Sequence, residues 1–331
     1  MGHLDRVLRS NLKLRHLQLL VALDQFRHLG RAAEFLSVTQ PAVSKTLAEI
    51  VRMLDVVLFD RSTRGTEPTA AGVSMVRFAR SVLAGYERTR DEIAAEASGA
   101  RGRTSVGAMV VATPVLLAQA VEQLKARSAQ TTVLVEEGDL TRLLPKLRLG
   151  ELDLFVGRLE PGYAAPDLET EALYDEPMVA VVRPGHPLLA RPATWQALAE
   201  TPCVMPPPWA SLRVKLEQQF FAHGLHPPAD IVETASFLSQ LTFVHQRGAV
   251  TFVARSVARH GAAQGTLALL DLPVPIDLPP VGLITLRGQP MTPTTRLLVA
   301  CLREVGAGLG RGEIPASDDH EKSAQSPEYG R

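Results

Sequence analysis

Gln40, Ser44 and Lys45 stand on the exposed side of the stretch TQPAVSKTLAEIVRML, close to its start. At the N-terminal end of a helix, such residues can meet base edges in a DNA major groove: Gln pairs bidentately with adenine, Ser adapts, and Lys reaches guanine or a phosphate. The competing reading is an ordinary helical hairpin with a polar face. A second group follows in LFDRSTRGTEPTAAG, where Arg61 and Arg64 flank a tight loop turned by Gly65. Those cations suit phosphate or a minor groove. The alternative is a solvated charged hairpin, with Arg61 paired to a carboxylate. The sequence holds no GxSxG elbow, HExxH pair or CxxC. The nine histidines are dispersed, and Cys203 and Cys301 lack metal-ligand neighbours. No catalysis, metal or cofactor is expected, and the two thiols read as buried and reduced.

The elements that would position these groups are legible from apolar spacing. In LGRAAEFLSVTQ, Ala32, Ala33, Leu36 and Val38 form the apolar face of a short helix. Thr39 sits where an N-cap belongs, and Pro41 falls in the first turn, where its missing N–H costs nothing. Val43, Leu47, Ile50 and Leu54 follow at spacings of four, three and four, which makes one buried stripe of a second helix. Strand, basic turn and strand come next. The order describes a winged helix-turn-helix.

The segments AAEFLSVTQPAVSKTLAEI and LFDRSTRGTEPTAAG, with the helix ahead of them, span about Leu12 to Gly72. They resemble the LysR-type transcriptional regulators. The resemblance implies base and backbone contacts at Gln40, Pro41, Ser44, Lys45, Arg61 and Arg64. One departure is IVRMLDVVLF, more apolar than the family's acidic LEEELGxxLF stretch, with Asp55 where Gly is common. The resemblance also implies double-stranded promoter DNA and RNA polymerase as partners, a linker helix paired antiparallel in a homodimer, and homotetramers that bend DNA. A narrower similarity, in DLFVGRLEPG and TLAEI, is to the branch that regulates sugar uptake and aromatic-acid catabolism. In that superfamily the effector position after the first strand is often Ser or Thr; here it is Val111.

Residues 12–70 thus form the DNA-binding domain, and residues 71–98 read as one long linker helix. Val73, Val76, Ala79, Leu83, Tyr86, Ile93 and Ala97 run along one of its faces. That stripe suits a second copy, or a fold-back on the C-terminal domain. SGARGR, Ser98 to Arg103, is a plausible hinge. Residues 310–331 are polar and aperiodic and read as a disordered tail.

Residues 103–309 alternate apolar strands with amphipathic helices. TTVLVEEG, LDLFVGRL, PMVAVVRPG and AVTFVA read as buried strands. PVLLAQAVEQLKARS, LTRLLPKLRLG, SLRVKLEQQFFAHG and SFLSQLTFVHQRG read as helices. The pattern argues an α/β fold with largely parallel strands in two lobes around a cleft. The resemblance implies the same fold, similar to periplasmic binding proteins. Ligands of such folds bind at strand ends, facing helix N-termini. The candidate effector positions are Val111, Thr113, Gly157, Arg158, Ser211, Leu212, Ser236, Phe237 and Phe252. Ser and Thr there can equally be plain N-caps. Arg158 can clamp a carboxylate or brace the lobes. The effector is a small molecule, a carboxylate or a sugar.

The bulk properties agree. At 331 residues the chain exceeds one ordinary core, and 35 basic against 35 acidic residues confine DNA contact to a local patch. With no membrane-length apolar run and no signal peptide, the expected site of action is the cytoplasm, away from membranes. A solute carrier or an enzyme with an accidental helix-turn-helix, and a nucleoid-type binder, are the rival readings.

Overall fold

The computed structural model describes residues 7–8, 11–62, 65–98 and 102–312; the side chains of residues 61, 62, 91, 92 and 94–98 are not described. The tail from 313 onward, Arg64, and residues 99–101 of the expected hinge lie outside the described residues.

Helices α1 (Leu14–Phe26), α2 (Leu29–Phe35) and α3 (Gln40–Leu54) precede the antiparallel hairpin β1 (Phe59–Ser62) and β2 (Gly65–Pro68). The predicted stripe Val43, Leu47, Ile50 and Leu54 is buried and shares one core with Leu20 and Leu23 of α1 and with Ala32 and Ala33 of α2. Val38 departs from its expected place and is 47% exposed. The chain turns at Ser37 through a left-handed φ of 55°, so Val38 follows the turn rather than the α2 face. Asp55 ends α3 in the left-handed region, at φ 54°. Asp tolerates that conformation through its short polar side chain, so the turn before the wing survives without Gly.

Helix α4 (Ala70–Ser98) carries the chain away from this domain. Its Met75, Val76 and Ala79 are buried in the reader's own core, with Val82 and Leu83 packed against it. Half of the stripe expected to meet a second copy therefore packs on α1.

The remaining residues form two lobes. Lobe I contains β3 (Arg103–Ala108), α5 (Ala118–Arg127), β4 (Thr132–Glu137), α6 (Leu140–Leu149), β5 (Leu154–Arg158) and β6 (Leu168–Tyr174). Lobe II contains β7 (Met178–Val182), α7 (Trp195–Ala199), β8 (Cys203–Met205), α8 (Ser211–Ala222), β9 (Ile231–Glu233), α9 (Phe237–Arg247), β10 (Val250–Ala254), α10 (Arg255–Ala263) and β11 (Ala268–Leu269). The chain then returns to lobe I as β12 (Val281–Leu286) and α11 (Pro293–Gly310). The sheet orders are β4-β3-β5-β12-β6 and β11-β7-β10-β8-β9.

The parallel expectation holds for β3 with β4 and β5, and for β8 with β9 and β10. It fails for β6, β7, β11 and β12, which pair antiparallel. Those are the strands beside the two crossings between lobes, where no helical crossover reverses the chain. TTVLVEEG is an edge strand rather than a buried one: Leu134 and Val135 are each 42% exposed. Cys203 and Cys301 are both buried and unpaired. Burial pushes the Cys203 thiol up to about 12 and raises that of Cys301, so neither presents a reactive thiolate. Among the described residues, no helix is long and apolar enough to cross a membrane.

Candidate DNA-reading face and effector cleft

Burial of the α3 stripe fixes the rotation of that helix. Gln40, Pro41 and Lys45 consequently face outward, and Ser44 is half-buried. Thr39 Oγ1 accepts the Ala42 N–H at 3.4 Å, which makes it the expected N-cap, with Pro41 in the first turn. At α2 the cap is His28, whose Nδ1 accepts the N–H groups of Gly30 and Arg31 at 3.0 and 3.3 Å. Arg31 is itself exposed. These side chains offer donors and acceptors along one helix end, at a scale that fits base edges.

The wing is pinned from behind. Residues 61 and 62 pair with 66 and 65 in the hairpin, so Arg61 lies on β1 near its end. Arg27, directly after α1, holds this hairpin through two bonds and ties it to α1 through a third. Its carbonyl accepts the Thr66 N–H at 2.9 Å. Its guanidinium pairs with Glu67 at 2.7 Å and with Asp24 at 2.8 Å. Gly65, at φ 131°, lies so close that a Cβ there would sit 2.7 Å from the Arg27 oxygen. Only glycine allows that approach. Sequence reasoning missed Arg27, because nothing in the local spacing links it to a residue forty positions away. His16 was missed as well. Fully buried under α3, it accepts the Lys13 N–H on Nδ1 at 3.2 Å, and Nε2 has no partner among the described residues. Burial lowers its pKa and keeps the ring neutral.

The cleft lies where the C-terminal ends of β3 and β5 face the N-terminal ends of α8 and α9. Ser211 opens α8 but does not cap it. Its hydroxyl donates across the lobes to Glu160 at 3.2 Å, and Ala210 occupies the cap position. Leu212 is half-buried and packs on the lobe II core. Ser236 is a plain N-cap of α9, accepting the Ser239 N–H at 3.3 Å. Val111 and Val115 of lobe I meet Phe237 and Leu241 of lobe II in one apolar cluster. Thr113 donates to the Met109 carbonyl at 3.2 Å. Gly157 is buried beneath Met109, with room for no Cβ. The structure thus brings Val111, Phe237 and Ser211 to the contact between lobes.

Two expected effector residues are corrected. Phe252 is 2% exposed and stacks on Trp195 at 6.0 Å inside lobe II; in the all-buried β10 its ring turns to the core face. Arg158 is 6% exposed and spans the hinge. It donates to the Pro279 carbonyl at 2.8 Å and the Glu176 carbonyl at 2.7 Å, one on each connection between the lobes. Arg158 is therefore a brace rather than a clamp, and its partners are carbonyls rather than a carboxylate. Glu176 completes the joint by accepting the Ser256 N–H at 3.1 Å.

A cavity of about 810 Å³ lies elsewhere, between α4 and the base of lobe I. Arg80, Arg88, Glu151 and Asp153 are among its walls. On the outer side of α4, Phe78, Tyr86 and Ile93 are 40%, 49% and 62% exposed.

Comparison with known proteins agrees on both halves. Residues 14–73 match the family described as "Bacterial regulatory helix-turn-helix protein, lysR family", and residues 97–307 match "LysR substrate binding domain". The chain is 34% identical over 300 residues to the transcriptional regulator GbpR of Azospirillum brasilense, covering 89% of this chain and 87% of that one. It is 32% identical over 306 residues to PcaQ of Agrobacterium fabrum, covering 92% and 98%. Its fold resembles that of full-length CbnR solved with its target DNA, at 20% identity, a TM-score of 0.67, and coverage of 89% and 100%.

Proposed function

Because the chain belongs to the LysR family of DNA-binding transcriptional regulators, we propose that Gln40, Ser44 and Lys45 read the major groove of a dyad-symmetric promoter site while the wing, through Arg61 and Arg64, lies against the backbone. Members of this family are regulators, not enzymes. The observation that carries the reading is the outward, capped N-terminal end of α3: its stripe is occupied by the core, so Gln40 and Lys45 are exposed and within reach of a partner. Two such readers are spaced by pairing of the outer α4 face, through Phe78, Tyr86 and Ile93, and pairs assemble further into tetramers. A small carboxylate or sugar enters between the lobes at Val111, Thr113, Ser211, Ser236 and Phe237. It favours one lobe arrangement over the other, moves the readers on the DNA, and so alters access of RNA polymerase. This work is done in the cytoplasm, where the promoter is.

A mobility shift with the DNA upstream of the chain's own gene tests the reading. Lys45→Ala should weaken binding by about 1–3 kcal/mol, roughly fivefold to a hundredfold, with an unchanged thermal midpoint. Wild-type affinity in that variant would remove Lys45 from the reading face. Failure of the unaltered protein to bind there and at neighbouring promoters would reject the whole assignment.

A further inference from the structure

Five charged residues from four separate elements alternate in sign in one unbroken line. Glu151, in the turn between α6 and β5, accepts from Arg80 of α4 at 3.2 Å. The other arm of the same guanidinium reaches Asp24 of α1 at 3.1 Å. The second oxygen of Asp24 is held by Arg27 at 2.8 Å, and Arg27 holds Glu67 on the wing at 2.7 Å. Each interior member is shared between two neighbours, so displacing any one leaves a charge with a single partner.

The line begins where lobe I touches the linker. Gly150 to Asp153 is the docking strip: Arg88 donates to the Gly150 carbonyl at 3.2 Å and pairs with Asp153 at 3.5 Å. Strand β5 runs directly from that strip to Arg158 at the hinge, buried at every position. A movement of lobe I about the hinge must therefore move Glu151. The docking interface borders the cavity of about 810 Å³ rather than a packed core. Few apolar contacts need to be broken for the strip to shift, so polar pairs set its position. At the far end, the Arg27 backbone has a left-handed φ of 51°, a conformation unusual for Arg, and its carbonyl carries Thr66 of the wing.

We infer that Glu151–Arg80–Asp24–Arg27–Glu67 is the coupling line through which lobe I sets the position of the DNA wing within one chain. Arg80 and Asp24 are positioning residues: neither needs to touch DNA or effector. The inference deepens the proposed reading of the hairpin as a DNA wing, but the geometry and its test stand without DNA.

Amide hydrogen exchange on the full-length protein, free of DNA and added ligand, tests the line directly. Glu151→Gln alters lobe I alone, yet exchange should rise several-fold at Thr66 and at the last turn of α1. Arg80→Met should give the same pattern, and the double variant should add little to either single change, as residues in one network do. Arg127→Met, which breaks the Arg127–Glu304 pair between α5 and α11 and touches no member of the line, serves as the control and should leave the wing unchanged. The same rise should appear in the unaltered protein as salt is raised, since the line is partly exposed and screened. Unchanged wing exchange in both Glu151→Gln and Arg80→Met, with native circular dichroism, would overturn the coupling. So would a control that loosens the wing equally. Either failure leaves the mobility-shift assignment of the reading face untouched, and failure of that assignment leaves this exchange pattern unaffected.

Discussion

At the scale of single residues, Thr39 caps α3, Pro41 fills its first turn, and Arg27 ties the end of α1 to the hairpin. Thr39, Pro41 and the α3 stripe obey local rules of capping and periodicity, so their places followed from spacing. Arg27 and Arg158 take their roles from partners far along the chain, and no local pattern shows them; His16 accepts from Lys13 three residues before it, and its complete burial comes from the surrounding fold. His16 carries a pH prediction. Its pKa is lowered chiefly by burial, with Arg15 and Lys13 adding to the effect and Glu49 opposing it. In the unfolded chain the ring titrates near the ordinary imidazole value of about 6.5, while the folded site binds the proton less readily. Between the two values the unfolded state therefore holds more protons, and stability rises with pH. The contribution is complete above the unfolded value and is lost as pH falls below it toward the folded value. Thermal denaturation followed by circular dichroism should show the reader's midpoint falling as the buffer passes from about pH 7.5 to about pH 5.5. His16→Gln keeps an acceptor for the Lys13 N–H and removes the titration, so its midpoint should be much flatter across that window.

At the scale of elements, the linker helix shows how one amphipathic stripe can be divided between two neighbours. The apolar face of α4 is real, but Val76, Ala79 and Leu83 spend it on α1 of the same chain. Periodicity reports that a face is buried, not what buries it. The far part of the same stripe is left over: Tyr86 and Ile93, with Phe78 beside them, stay exposed on a helix of 29 residues. Exposed large apolar groups spaced along one helix mark an interaction surface. If they pair with a second copy, Tyr86→Glu with Ile93→Glu should shift sedimentation toward the monomer and raise the dimer dissociation constant by about tenfold or more, because two charges would be desolvated at each contact. Since neither residue belongs to a core, the monomer should keep its helical circular dichroism. A dimer of unchanged strength would place the pairing surface elsewhere.

At the scale of the whole molecule, the two-lobed architecture was legible from alternating strands and helices, while its hinge was not. β6, LETEALY, alternates polar with apolar residues and β12, VGLITL, is an apolar run, and neither pattern shows that the two are antiparallel neighbours. Arg158 at the end of a strand was equally ambiguous between ligand clamp and brace, because both uses require a cation at the same place. Its burial and its two carbonyl partners decide for the brace. Pro279 and Glu176 lie on the two separate connections, so one guanidinium holds both at a fixed spacing. Arg158→Met fills similar volume but leaves two buried carbonyls without a donor. Each hydrogen bond to a charged group contributes about 1.5–3 kcal/mol, so the variant should lose about 3 kcal/mol or more in urea denaturation of the full chain. Arg158→Lys should recover only part of this, since an ammonium cannot span both carbonyls in one plane. The response to effector should be blunted, because a looser joint lets either lobe arrangement form at similar cost and leaves the ligand less to bias. Full stability in Arg158→Met would mean that Glu176 and the Ser256 N–H hold the joint without it.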